Sequence, residues 1–127
     1  MKRLFIYLSL VLFVAVGITI TGCYKNVISP ESDPDGAPQS VSFKQDLAPI
    51  LGSKCAIAGC HVSGAHKPYL TADVSYHQIV DGGFVNTIVP KSSILYQKVY
   101  GDMSEYLPSK SDKQKVYDWI RNGAPNN

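Results

Sequence analysis

Cys55-Ala56-Ile57-Ala58-Gly59-Cys60-His61 places two thiols and an imidazole within seven residues. A cysteine pair serves as a disulfide, as metal ligands or as an attachment point for a cofactor, and the compartment and flanking residues decide between them. Ala56 and Ala58 are small and Gly59 is conformationally free. The segment can therefore bulge while keeping both sulfurs along one edge of a flat group, with the histidine turning beneath it.

Towards the N-terminus, Lys2 and Arg3 form a basic start, residues 4–20 are almost continuously apolar, and Thr21-Gly22-Cys23 ends the run. A run of about 17 residues lies at the lower edge of what spans a bilayer. The order of charge, apolar core and small residues reads instead as an export signal. Ile20-Thr21-Gly22-Cys23 resembles the bacterial lipobox, which implies a lipoprotein signal peptide over 1–22 and lipidation of Cys23 as the mature N-terminus. Each buried methylene of an acyl chain adds about 0.8 kcal/mol, so several chains anchor durably. Tyr24 in place of aspartate implies, by the same resemblance, a protein on the outer membrane facing the periplasm. The formal charge of +2 resides in Lys2 and Arg3, and removing the signal leaves ten basic and ten acidic residues. That balance gives no footprint for nucleic acid. Export delivers Cys55 and Cys60 to an oxidising compartment.

Residues 23–42 are rich in Pro, Ser, Asp and Gly with few large apolar groups, and are expected to form a lipid-linked flexible tether. The folded domain is then 43–127, a size at which a core alone is thin and a covalent or metal staple is often recruited. Phe43, Leu47, Ile50 and Leu51 recur at helical spacing behind Ser42 as N-cap, with Pro49 delaying or kinking the helix. Ser111 is the expected cap of a last helix with Val116, Tyr117, Trp119 and Ile120 on its apolar face and Gly123 beyond its end. Residues 73–80 and 92–100 are weaker helical segments, separated by Gly82-Gly83 and Pro90. No alternating pattern marks a strand. The fold class expected is all-α, with short helices and long loops.

Covalent haem attachment requires two cysteines reaching two vinyl groups on one porphyrin edge and a following histidine to bind iron. The usual spacing has two residues between the cysteines; here there are four. The flanking residues carry a resemblance: Asp46-Leu47-Ala48-Pro49-Ile50-Leu51 before Cys55, then Ile88-Val89-Pro90 and Ser93-Ile94-Leu95-Tyr96, then Trp119-Ile120 and Gly123-Ala124. In this order they resemble the single-haem cytochrome c domains of bacterial lipoproteins, including those with a C-x4-C-H attachment site. The resemblance covers about two thirds of the chain, from the first helix onward. It implies haem c bound through Cys55, Cys60 and His61, with His61 as proximal iron ligand, in a small cytochrome c-like domain that exchanges electrons with a redox partner protein.

One departure concerns the sixth ligand. Such domains place a methionine before a proline ahead of the last helix, where this chain has Leu107-Pro108. Met103, four residues upstream, is the alternative thioether, and His66 and His77 are competing imidazoles. An iron with no sixth protein ligand would make the protein a sensor of small ligands or a peroxidase-like haem protein. Cys55 and Cys60 also fit an ordinary disulfide, which would make the domain a haem-free surface-binding module, and Cys55, Cys60, His61 and His66 have the donor types of a zinc site. The leading reading requires no catalytic residues: an electron carrier, not an enzyme. Phe84 and the tyrosines at 69, 76, 96, 100, 106 and 117 could line a haem or simply fill a core.

Overall fold

A computed structural model describes residues 33–127. The expected signal peptide and Cys23 lie outside the described residues. The described chain is all-α: its elements are helices joined by turns and loops. A π-helix, Phe43–Leu47, runs directly into α1, Ala48–Lys54. Then come α2, Ser75–Val80, and a 3-10 turn, Pro90–Ser92, followed by α3, Ile94–Tyr100, and α4, Lys110–Arg121. Among these residues no helix is long and apolar enough to cross a membrane.

Ser42 caps the first helix as expected, its Oγ accepting from the Gln45 amide. Asp46 Oδ2 accepts from the Ser42 amide in return, at 2.8 Å. This is a reciprocal cap like the capping box, with the return bond displaced by one residue as the wide π turn requires. Pro49 sits in the first turn of α1, where its missing N–H costs little. In α4 the cap is Ser109, whose Oγ accepts from the Asp112 amide, and not Ser111. Ser111 lies inside the first turn: Gln114, three positions on from it, is engaged with Asp118 and Pro34 instead of returning to a cap. At the other end Gly123, at φ +89°, carries the chain out of the helix. The Gly123 and Ala124 amides donate to Ile120 O and Trp119 O, forming a Schellman motif.

The core gathers on α4. Leu47, Ile79, Val116, Trp119 and Ile120 have no exposed surface. Phe43 packs at 5.2 Å between ring centroids against both Trp119 and Tyr76. Trp119 Nε1 and Tyr76 Oη donate to Pro125 O and Ala124 O, which ties down the segment after α4.

Residues 33–42, expected to belong to the flexible tether, are docked along α4. Arg121 donates to the carbonyls of Pro34 and Gly36, and Tyr117 Oη donates to Asp35. Asp118, fully buried, accepts from the Gln39 amide, Gln114 Nε2 and Arg121, and Val41 enters the core. Composition argued against this because one apolar residue is all the segment buries. Backbone carbonyls met by Arg121, Gln114 and Asn122, and the Asp35 carboxylate met by Tyr117 and Lys91, do the rest.

Candidate functional site: an apolar cavity walled by two thiols and a locked histidine

One side of the domain encloses a cavity of about 390 Å³, within the range of about 300–1,000 Å³ for sites that take small molecules and cofactors. Its apolar walls come from α1, α2, α3 and the loops between them: Leu51 of α1, Leu70, Ile79 of α2, Phe84, and Leu95 and Val99 of α3. Cys55, Cys60 and His61 line it from the loop that follows α1, and Met103 and Tyr106 line it from the loop between α3 and α4. Residues far apart in sequence thus converge on one space.

The loop 55–70 is held by its own backbone. The His61 amide donates to Cys55 O, the His66 amide to Cys60 O, and the Leu70 amide to His61 O at 2.8 Å. Gly59 has φ +80° and a Cβ there would meet no atom. Backbone angle, not space, therefore requires glycine at this bend. Cys55 and Cys60 are both free thiols and half-buried. Burial, and then the neighbouring Cys60, push the Cys55 thiol above its ordinary pKa, so it stays protonated at neutral pH.

His61 is oriented by its ring nitrogen. Nδ1 lies 2.9 Å from Pro68 O and 3.2 Å from His66 O. Both partners are carbonyls, which only accept, so Nδ1 carries the proton and donates. Nε2 is then the nitrogen with the free lone pair. A metal-binding histidine is typically held in this way, its second nitrogen donating to a backbone carbonyl.

Leu107, at the position where a methionine was expected, is buried in the core at 1% exposure. It anchors the loop whose Met103 reaches the cavity wall. Met103 is itself positioned by its amide, which donates to Lys98 O at the end of α3. His66 also lines the cavity, although from the same loop as His61. His77 does not: its Nδ1 pairs with Asp81 at 2.8 Å on an exposed part of α2. Among the described residues no three His, Cys, Asp or Glu side chains converge to hold a metal, so the zinc reading of Cys55, Cys60, His61 and His66 has no geometric support. Of the candidate aromatic residues only Phe84 and Tyr106 line the cavity. Three lysines that sequence reasoning passed over, Lys54, Lys67 and Lys98, also lie in its wall. Lys54 and Lys98 sit in the last turns of α1 and α3, positions that the helix dipole favours for cations.

Comparison with known protein families, with curated proteins and with solved structures finds no match.

Proposed function

We propose that the protein is a membrane-anchored single-haem c-type cytochrome that transfers electrons to a partner protein. Cys55 and Cys60 would hold haem c covalently, and His61 and Met103 would bind its iron. The observation that carries this reading is the convergence of Cys55, Cys60, His61 and Met103 on one apolar cavity, with the His61 ring already locked so that Nε2 is free. Bound haem would supply a one-electron iron couple.

The chain's own residues do the rest. The carbonyls of Pro68 and His66 hold the His61 ring in place. Leu51, Leu70, Ile79, Leu95 and Val99 exclude water, which disfavours added charge and so tunes the potential. Lys54 and Lys67 offer cations to acidic groups at the cavity wall, whereas Lys98 is paired with Asp102 at 2.6 Å. Electron transfer needs no proton donor or nucleophile, and the reading therefore assigns no catalytic residue. Lipidation of Cys23 would tether the domain to the membrane, with the outer membrane facing the periplasm as its place.

Expression of the full chain with a cytochrome c maturation system tests the reading. A coloured protein that keeps its haem stain after denaturation is expected, and a colourless product overturns it. In the oxidised protein, the long-wavelength band of thioether-ligated haem should vanish in Met103→Ala. If the band persists in that variant, Met103 is not the ligand.

A further inference from the structure

The loop between Phe84 and α3 ends in a tip that is both apolar and internally braced. Ile88 is 91% exposed and Val89 53%, with Pro90 next in line. Among the described residues no other large apolar side chain stands as far out in solvent as Ile88. The neck of the loop is closed by buried Ser93, whose Oγ accepts from the Asn86 amide at 2.8 Å and donates to Asn86 O at 3.2 Å. Asn86 then organises the tip from inside. Its Oδ1 accepts from the amides of both Ile88 and Val89, at 3.0 and 2.9 Å, and its Nδ2 donates to Ser92 Oγ. Pro90 has no amide hydrogen, and Val89 O and Pro90 O accept from the Ser92 and Ser93 amides.

One exposed isoleucine is ordinary in itself, and a loop in water needs no such bracing, because solvent satisfies its amides. At a bilayer the need is real, since an amide carried out of water without a partner is costly. The tip has what entry into lipid requires: aliphatic side chains in front and backbone donors already bonded behind them.

Its place in the domain says which surface it meets. Lys91, beside the tip, bonds to Asp35 at 2.8 Å, and Arg121 holds the carbonyl of Pro34. The point at which the chain arrives from Cys23 is thus adjacent to the tip. From Cys23 to Asp35 the chain can span about 40 Å at full extension, so an anchor on Cys23 keeps this end of the domain nearest the membrane. None of residues 85–93 borders the cavity, and contact with lipid there leaves the cavity to its own occupant.

We propose that Ile88 and Val89 form a second membrane contact, dipping into the headgroup boundary of the bilayer that carries the Cys23 anchor and fixing the orientation of the domain on it. The inference rests on the lipidation of Cys23 in the reading above. Lipid suits the tip better than a protein does. Apolar groups at a membrane interface enter to a depth of only about 5–10 Å, whereas a stable protein partner needs on the order of 800 Å² from each side, far more than two side chains offer.

Photo-crosslinking tests the contact with or without haem. An amino acid carrying a benzophenone takes the place of Ile88 in the full chain, which is expressed in cells, purified and reconstituted into phosphatidylcholine vesicles. After irradiation, the intact mass reads both the acyl chains on the protein and any phospholipid adduct. The acylated protein should form lipid adducts at position 88. Val89→Asp in the same chain should lower their yield by about fivefold or more, because a charge at the tip opposes entry into lipid. Asn86→Ala should lower it too, since both tip amides then need water, a change to which a simple apolar patch would not respond. Unchanged yield in either variant overturns the membrane contact. So does an acylated protein that forms no lipid adduct, or one that couples to a second copy of the chain instead. An unacylated protein that still forms lipid adducts overturns only the lipidation reading, and one that forms none overturns both.

Discussion

The side of the domain built on α4 is filled by the chain's own side chains, and the side built on the loop 55–70 and α3 borders an open cavity. Around α4, large side chains meet large side chains: Phe43 against Trp119 and Tyr76, and the buried Asp118 against Gln114, Arg121 and the Gln39 amide. Around the cavity, Leu51, Leu70, Ile79 and Val99 are as thoroughly buried, yet they also border about 390 Å³ that no side chain fills. Ile94, Met103 and Tyr106 beside them stay well exposed. One side takes its order from internal packing, and the other presents apolar walls to an open space.

Mutation should separate the two sides. Trp119→Ala removes the largest fully buried side chain and is expected to cost about 3–5 kcal/mol, read from denaturant unfolding. A loss below 1 kcal/mol, on the order of an ordinary surface change, would mean that the α4 side is not the stable one. Arg121→Ala leaves the buried Asp118 carboxylate with its neutral donors alone, frees the carbonyl of Gly36 and leaves that of Pro34 with Gln114 as its donor. It should cost about 3 kcal/mol and expose residues 33–42 to limited proteolysis, and continued protection of that segment would show that Arg121 does not hold it. Met103→Ala, on the cavity side, should change the stability of the haem-free protein by no more than about 0.5 kcal/mol, because the side chain stands at an exposed wall.

The smallest effect expected is a titration. Burial, then the nearby Tyr96, pushes Tyr100 up to about 12, against an ordinary value near 10. A group held protonated in the fold contributes stability at low pH and loses it as pH rises. Its contribution should therefore fade between about 10 and about 12. Ultraviolet titration should show one late phenol that disappears in Tyr100→Phe. If no phenol titrates late, burial does not shield Tyr100.

What could be read from the sequence was local. Ser42 and the apolar stripe of α4 announced themselves because caps and helical periodicity depend on residues a few positions apart. Ser109 was legible in the same way, through the serine followed three residues later by Asp112, although Ser111 was the serine expected. The docking of residues 33–42 was not legible, because it depends on Arg121 and Tyr117 more than eighty residues away. The grouping of Cys55, Cys60 and His61 is a property of spacing and was visible at once. That Leu107 would turn into the core while Met103 reached the cavity wall is a property of loop 101–107, which no periodicity describes. The locking of His61 Nδ1 by Pro68 O likewise depends on how loop 55–70 returns upon itself.

The docked segment also has a mechanical meaning. Tension applied to the chain ahead of residue 33 enters the domain through the carbonyls of Pro34 and Gly36, and Arg121 passes it into the axis of α4. No residue of α4 lines the cavity. The load path therefore runs beside the cavity rather than across it, and a domain pulled at that end would take the load first on its longest helix.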